Sequence, residues 1–250
     1  MILTYPLRTV AIVTAAAVLL VLGFGSGAYA LHSPEHYSFA GDASYVTPGN
    51  ASNRAVHLIS DADPGFGRVD FGVEAGLTFA GIDALGTDFR FESDDSCVGG
   101  SPRFQVAVAS TSGDTGNIFV YLGPPPSYSG CAADVWLTSG DLLEGVNPID
   151  TSQLDGGTFY DPYASALVKY GDYAVTGIRL VADASWAFGD SEQAVDVDNT
   201  TVDTTLFTYE VPVPTDKEQC KKGGWMSMAD DEGNPFKNQG QCVSYANHNN

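Results

Sequence analysis

Asp183-Ala184-Ser185-Trp186-Ala187-Phe188-Gly189-Asp190 is the stretch whose residue types and spacing come nearest to a binding chemistry. A tryptophan between two carboxylates suits a sugar: the indole stacks on the apolar face of the ring while Asp183 and Asp190 accept hydrogen bonds from hydroxyls. The more ordinary use of Trp186 is as a lid folded over the edge of a β-sandwich, and the sequence leaves both uses open. Calcium is the second chemistry. Asp183, Asp196, Asp198 and Asn199 supply the oxygen ligands it prefers, and strand alternation puts Asp196 and Asp198 on one outward face.

Catalytic signatures are missing. There is no G-x-S-x-G elbow, no glycine-rich phosphate loop and no Cys and His arrangement, and His57 and His248 stand alone in the sequence. His32-Ser33-Pro34-Glu35-His36 matches the H-x-x-E-H pattern of inverted zinc proteases, but Pro34 interrupts the helical turn that would bring the two imidazoles together. A pair of carboxylates can hydrolyse glycosides, yet 31 acidic residues offer no privileged pair. No catalytic residue is assigned.

The first 30 residues read as an export signal: Arg8, an apolar run from Val10 to Phe24, then the cleavage pattern Ala28-Tyr29-Ala30. The expected product begins at Leu31, is extracellular and makes no stable membrane insertion; retention as an N-terminal anchor is the alternative. Four cysteines in an exported chain predict two disulfides, with Cys97–Cys131 and Cys220–Cys242 the favoured pairs.

The formal net charge is −20. Residues 31–216 carry 27 acids against 6 basic residues, whereas 217–250 carry 4 of each. Such a body repels nucleic acid and anionic lipid. An extracellular carbohydrate or cell-surface component is the expected partner.

The elements that must position these residues are mostly short strands. Arg103–Ala109 and Asn117–Leu122 form a hairpin whose loop centres near residue 114, the midpoint of Cys97 and Cys131 as well. Further strands are expected over 55–60, 68–73, 77–79, 87–92, 134–137, 172–182, 193–198 and 201–211, with Trp136 in the core and a bulge at Gly177. One helix is signalled over 161–170, with Asp161 as N-cap and Gly171 as stop. The pattern predicts an all-β fold: an antiparallel, jelly-roll-like sandwich with one short helix and a small disulfide-closed C-terminal appendage. The divisions are 1–30 signal, 31–211 sandwich, 212–216 proline-rich linker and 217–250 tail.

The tail C-K-K-G-G-W…F-K-N-Q-G-Q-C-V, Cys220 to Val243, resembles the C-terminal segment of many uncharacterised secreted bacterial proteins. The body, with Gly99-Gly100-Ser101-Pro102-Arg103-Phe104, Trp136 and the series Asp183…Trp186…Asp196-Val197-Asp198-Asn199, is similar to the sandwich that often precedes it. The resemblance covers most of residues 40–245 and implies no established activity. The expectation is therefore a secreted, non-catalytic binding module, with carbohydrate first as ligand. A calcium-stabilised structural or surface-associated protein is the first alternative, and a hydrolase the second.

Overall fold

The computed structural model describes residues 36–61, 63–144, 147–188 and 192–249, without the side chains of Trp186 and Phe188. The export signal, most of the His32–His36 pattern and Asp190 lie outside the described residues.

Ten strands are present among these residues: β1 (Tyr37–Val46), β2 (Ala55–Ser60), β3 (Gly67–Phe71), β4 (Leu85–Phe91), β5 (Arg103–Ala109), β6 (Thr115–Tyr121), β7 (Leu137–Thr138), β8 (Ala174–Ala182), β9 (Gln193–Val202) and β10 (Thr205–Phe207). All named pairs are antiparallel. A front sheet has the order β6-β5-β8-β3 and a back sheet the order β2-β9-β4-β7, with β10 beside β9. From β2 to β5 and from β6 to β9 each strand changes layer, while the β5–β6 and β9–β10 hairpins stay within one, a jelly-roll-like connectivity.

β1 joins the two layers. Its first half, Tyr37–Gly41, pairs with β3, and its second half, Asp42–Val46, pairs with β2. Gly41 makes the crossing possible: its φ is +69°, and a Cβ there would lie 2.1 Å from the Phe66 carbonyl oxygen. The sequence reading had no strand here, because the polar residues between Tyr37, Phe39 and Tyr45 hide the pattern. Their rings instead pack together, Phe39 on Tyr45 at 4.8 Å and Tyr37 on Tyr209 at 5.1 Å.

Period-two alternation fills the space between the sheets. Val69 of β3, Phe89 and Phe91 of β4, Phe104 and Val106 of β5, Ile118 of β6, Leu180 of β8 and Val195 and Val197 of β9 are all buried. Burial of each such side chain stabilises by about 1.5–3 kcal/mol.

The central hairpin forms, but its centre lies two residues earlier than expected, which shifts the pairing by four. Val106 faces Ile118, so the hairpin turns about residue 112, with Thr115 and Gly116 recruited into the second arm. Asp114 donates its amide to Ser110 Oγ at 2.9 Å and closes the loop. Cys97 and Cys131 are bonded nonetheless. A bend at Gly99-Gly100, where Val98 and Ser101 bridge, absorbs the offset. The bulge expected at Gly177 is present: Ala107 faces Gly177 while Val108 faces Val175.

Helix α1 (Tyr163–Tyr170) starts one residue later than expected, with Pro162 at the N-cap position. Asp161 does not cap it. Its buried carboxylate accepts from Thr151 Oγ1 at 2.8 Å and pairs with Lys169 Nζ. Two further expectations need adjustment. Residues 77–79 supply only an edge piece, an isolated bridge between Thr78 and Ala174, before a 3-10 turn over Phe79–Gly81. Trp136 is outside the core, and its ring takes the Arg90 guanidinium at 5.1 Å.

The tail closes through Cys220–Cys242 about the Asp230–Gly233 turn. It contains a helix the sequence reading missed, α2 (Gln239–His248), begun by Asn238, whose side chain accepts from the Gln241 amide. Phe236 and Ala246 pack around the disulfide with Trp225 and Tyr245. The described body and tail belong to one compact unit. Asn53 brackets the Val211 backbone with both ends of its amide, and Gly233 lies so close to the Asn53 carbonyl that a Cβ would approach it to 2.5 Å.

Candidate functional site

The back sheet carries the first of two polar faces. In register across β2, β9 and β4 stand His57, Asp196 and Arg90. Asp196 is 1% exposed, lies 2.7 Å from His57 Nδ1 and accepts from Arg90 Nη2 at 2.6 Å. One row further on, Asp198 is also fully buried, accepting from Ser52 Oγ at 2.6 Å and the Asn50 amide at 2.8 Å. Beside it Asp88 holds the amides of Asn50 and Asn199 and the hydroxyl of Thr138.

These contacts set the protonation of the row. The hydrogen bond to Asp196 raises the His57 pKa above 6.5 against the opposing effect of burial, and Glu92 and Asp42 add to the rise. Burial pushes Asp196 upward, but the hydrogen bonds from His57 and Arg90 outweigh it and hold the carboxyl below 3.8. Burial raises the Asp198 pKa against its three hydrogen-bond donors, and Asp88 raises it further.

A raised histidine contributes fully below its unfolded pKa and loses that contribution as pH climbs through the folded one. A lowered carboxylate contributes above its unfolded pKa and loses as pH falls through the folded one. The row therefore stabilises most between 3.8 and 6.5. Thermal melts are expected to show a decline as pH rises above 6.5 that flattens in His57→Gln; equal declines in both proteins would refute the assignment.

The second polar face is the outside of the front sheet, and its residues alternate with the buried ones. One row in register reads Asp70 (β3), Arg179 (β8), Gln105 (β5) and Phe119 (β6). The next reads Arg68, Val181, Arg103 and Tyr121. Arg68 and Arg179 each donate Nε to a different oxygen of Asp70, both at 3.0 Å. Arg103 holds Asp183 bidentately, at 2.6 and 2.5 Å, and stands 4.9 Å over the Phe119 ring.

The disulfide-closed segment props one end of this face. A Cβ on Gly100 would meet the Tyr121 ring at 2.6 Å, the Gly100 carbonyl accepts from Arg103, and Tyr128 packs on Tyr121 at 4.7 Å. Tyr121 donates its hydroxyl to Asp150, whose backbone pairs with Phe119 and covers the β6 edge.

Three of the six basic residues in the acidic body, Arg68, Arg103 and Arg179, lie on this one face. With Asp70 and Asp183 they make a locally balanced surface carrying a half-buried aromatic ring and the amide of Gln105, the combination that orients a polyhydroxylated ligand.

The residues expected to bind calcium do not converge. Asp183 belongs to the front face and is claimed by Arg103, Asp196 by His57 and Arg90, and Asp198 by Ser52 and backbone amides; Asn199 donates to Asp88. Asp196 and Asp198 do share a face of β9, but that face is covered, not solvated. Among the described residues no three His, Cys, Asp or Glu side chains are grouped to hold a metal ion. Of the expected sugar-binding stretch, Asp183 lies beside the front face, Ser185–Phe188 form a 3-10 turn, and Asp190 and the Trp186 side chain lie outside the described residues.

The sequence reading missed Arg68, Asp70, Gln105, Phe119 and Arg179. Their signal was the out-of-phase half of each strand, above all Phe119 and Tyr121 alternating with the buried Ile118 and Val120. His57 also was not alone.

No family model matches the chain, nor does any curated protein. Among solved structures it is similar to the agarase AgWH50C, at 11% identity and a TM-score of 0.36, over 69% of this chain and 23% of that one. It is also similar to an exo-β-agarase, at 14% identity and a TM-score of 0.34, over 75% of this chain and 26% of that one. The chain thus spans about a quarter of the length of each. Among the described residues no helix is long and apolar enough to cross a membrane.

Proposed function

We infer that this protein is a secreted, non-catalytic module that binds carbohydrate on the outer face of its front sheet. The observation that carries the reading is the cross-strand row Phe119, Gln105, Arg179 and Asp70, in which an aromatic ring adjoins an amide, a guanidinium and a carboxylate. Sugars present both an apolar ring face and fixed hydroxyls, and this row offers a partner for each. Strand spacing makes the row about 14 Å long, the reach of an oligosaccharide and not of a single sugar. The export signal read from the sequence and the two disulfides support secretion.

The test is affinity electrophoresis and calorimetry against a panel of soluble polysaccharides. Phe119→Ala is expected to weaken binding about tenfold or more, from roughly 1.5–3 kcal/mol of lost aromatic contact. Affinity unchanged in that variant, or no binding to any member by the parent protein, would overturn the reading. Trp186→Ala in the same assay asks whether the adjoining loop extends the surface.

A further inference from the structure

We propose that the ligand of the front face is an anionic polysaccharide, and that Arg68 and Arg179 form a two-guanidinium clamp for its sulfate or carboxylate groups. The proposal rests on the carbohydrate reading above and narrows it to a chemical class.

The clamp is built from three side chains on two neighbouring strands. Asp70 of β3 stands in register with Arg179 of β8, and Arg68 lies two residues along β3 on the same face. The carboxylate engages both arginines through Nε alone, one on each oxygen. No hydrogen bond from the η nitrogens of either arginine is found among the described residues. Each guanidinium therefore keeps its η N–H donors, planar and fixed in direction, for an incoming oxyanion.

Asp70 has a positioning role here. It neutralises one of the two charges and removes rotamer freedom that a ligand would otherwise have to freeze. The trio retains a net charge of +1. Arg68 and Arg179 are 32% and 33% exposed, so solvent and ligand reach them, in contrast to Arg103, which is 14% exposed and saturated by Asp183.

Charge complementarity selects the occupant. The body around this face carries 27 acids against 6 basic residues, and of the other three basic residues Arg90 is spent on Asp196, Lys169 on Asp161 and Arg54 on the Tyr209 carbonyl. A polyanion approaching elsewhere meets repulsion, whereas on the front face it meets two guanidinia with free η donors, separated from the Phe119 ring by the strand bearing Gln105. A neutral glycan would leave those donors to water. A nucleic acid also offers oxyanions, but its charge spacing extends far past a roughly 14 Å row into acidic surface.

The experiment uses the full mature chain on an array of matched pairs: dextran sulfate with dextran, a sulfated galactan with its desulfated form, and polygalacturonate with its methyl ester. The expected result is binding to at least one charged member and at least tenfold weaker binding to its neutral match. Arg68→Gln and Arg179→Gln are each expected to lower that affinity about ten- to hundredfold, the loss of one charge-assisted contact. Arg68→Lys should recover only part of it, because an ammonium keeps the charge and loses the fork. Thermal melts of all variants, expected within a few degrees of the parent, separate lost binding from lost folding.

Equal binding to charged and neutral members would overturn the clamp and leave the carbohydrate reading standing. Binding to a charged member that survives in both glutamine variants would also overturn it. Binding to no member would sink both.

Discussion

Replacing Asp196 with alanine is expected to cost about 2–3 kcal/mol of unfolding free energy and to lower Tm by roughly 5–10 °C. The carboxylate is almost fully buried and is the shared partner of His57 and Arg90. Truncating it strands the Arg90 guanidinium between Trp136 and an empty pocket and leaves His57 with Glu92, 4.0 Å away, as its nearest acid. Arg90 is 32% exposed and can turn to water, so the loss comes chiefly from the vacated buried site and from the partners that His57 and Arg90 both lose there. Asp196→Asn keeps the volume and one acceptor and should fall between. By contrast Asp70→Asn, on the exposed front face, should change stability by less than about 1 kcal/mol. Urea unfolding monitored by tryptophan fluorescence separates these cases, and an Asp196→Ala cost below about 1 kcal/mol would refute the buried-row account.

The second large effect is expected from Cys97→Ser combined with Cys131→Ser. With the cysteines 34 positions apart, the chain-entropy argument gives about 4 kcal/mol. Cys220 and Cys242 are separated by 22, and their loss should cost slightly less. The two double variants differ more sharply in function. The first disulfide anchors the turn at Gly100 that rests on Tyr121 and accepts from Arg103, so its removal should also weaken polysaccharide binding. The second lies in the tail, and its removal should leave affinity intact. Calorimetric melts and binding titrations on both variants check this; equal losses of affinity would show that the first disulfide has no local role at the face.

Much of the fold was legible because burial imposes a period of two on strands such as β3, β5 and β6. β2 was read at its observed bounds, and β5 and both disulfides were read correctly. What the sequence concealed follows from the same physics. β1 crosses from one layer to the other at Gly41 and so has no single apolar face to display. α2 packs on a disulfide with only Ala246 and Cys242 buried, so its stripe is faint, although Asn238 followed by Gln241 is an N-terminal signature. The candidate site was harder. Reading inward positions leaves the outward ones looking interchangeable, and only pairing across strands shows that Asp70, Arg179, Gln105 and Phe119 make one row. Likewise Asp196 and Asp198 are on the predicted face of β9, but nothing local announces that the loop bearing Asn50 and Ser52 covers the second and that distant His57 and Arg90 claim the first.

The shared strand has a bearing on how the molecule opens. A sandwich held only by side-chain packing can let one sheet slide or peel from the other while each keeps its own ladder. Here Tyr37–Val46 is hydrogen-bonded into both, so parting the layers means tearing main-chain bonds in at least one of them. The two sheets are thereby fused into one cooperative unit, and those amides of Tyr37–Val46 that bond to β3 or β2 become its reporters. In native-state hydrogen exchange they should trade their protons only through global unfolding, alongside the amides of β9 at the centre of the back sheet.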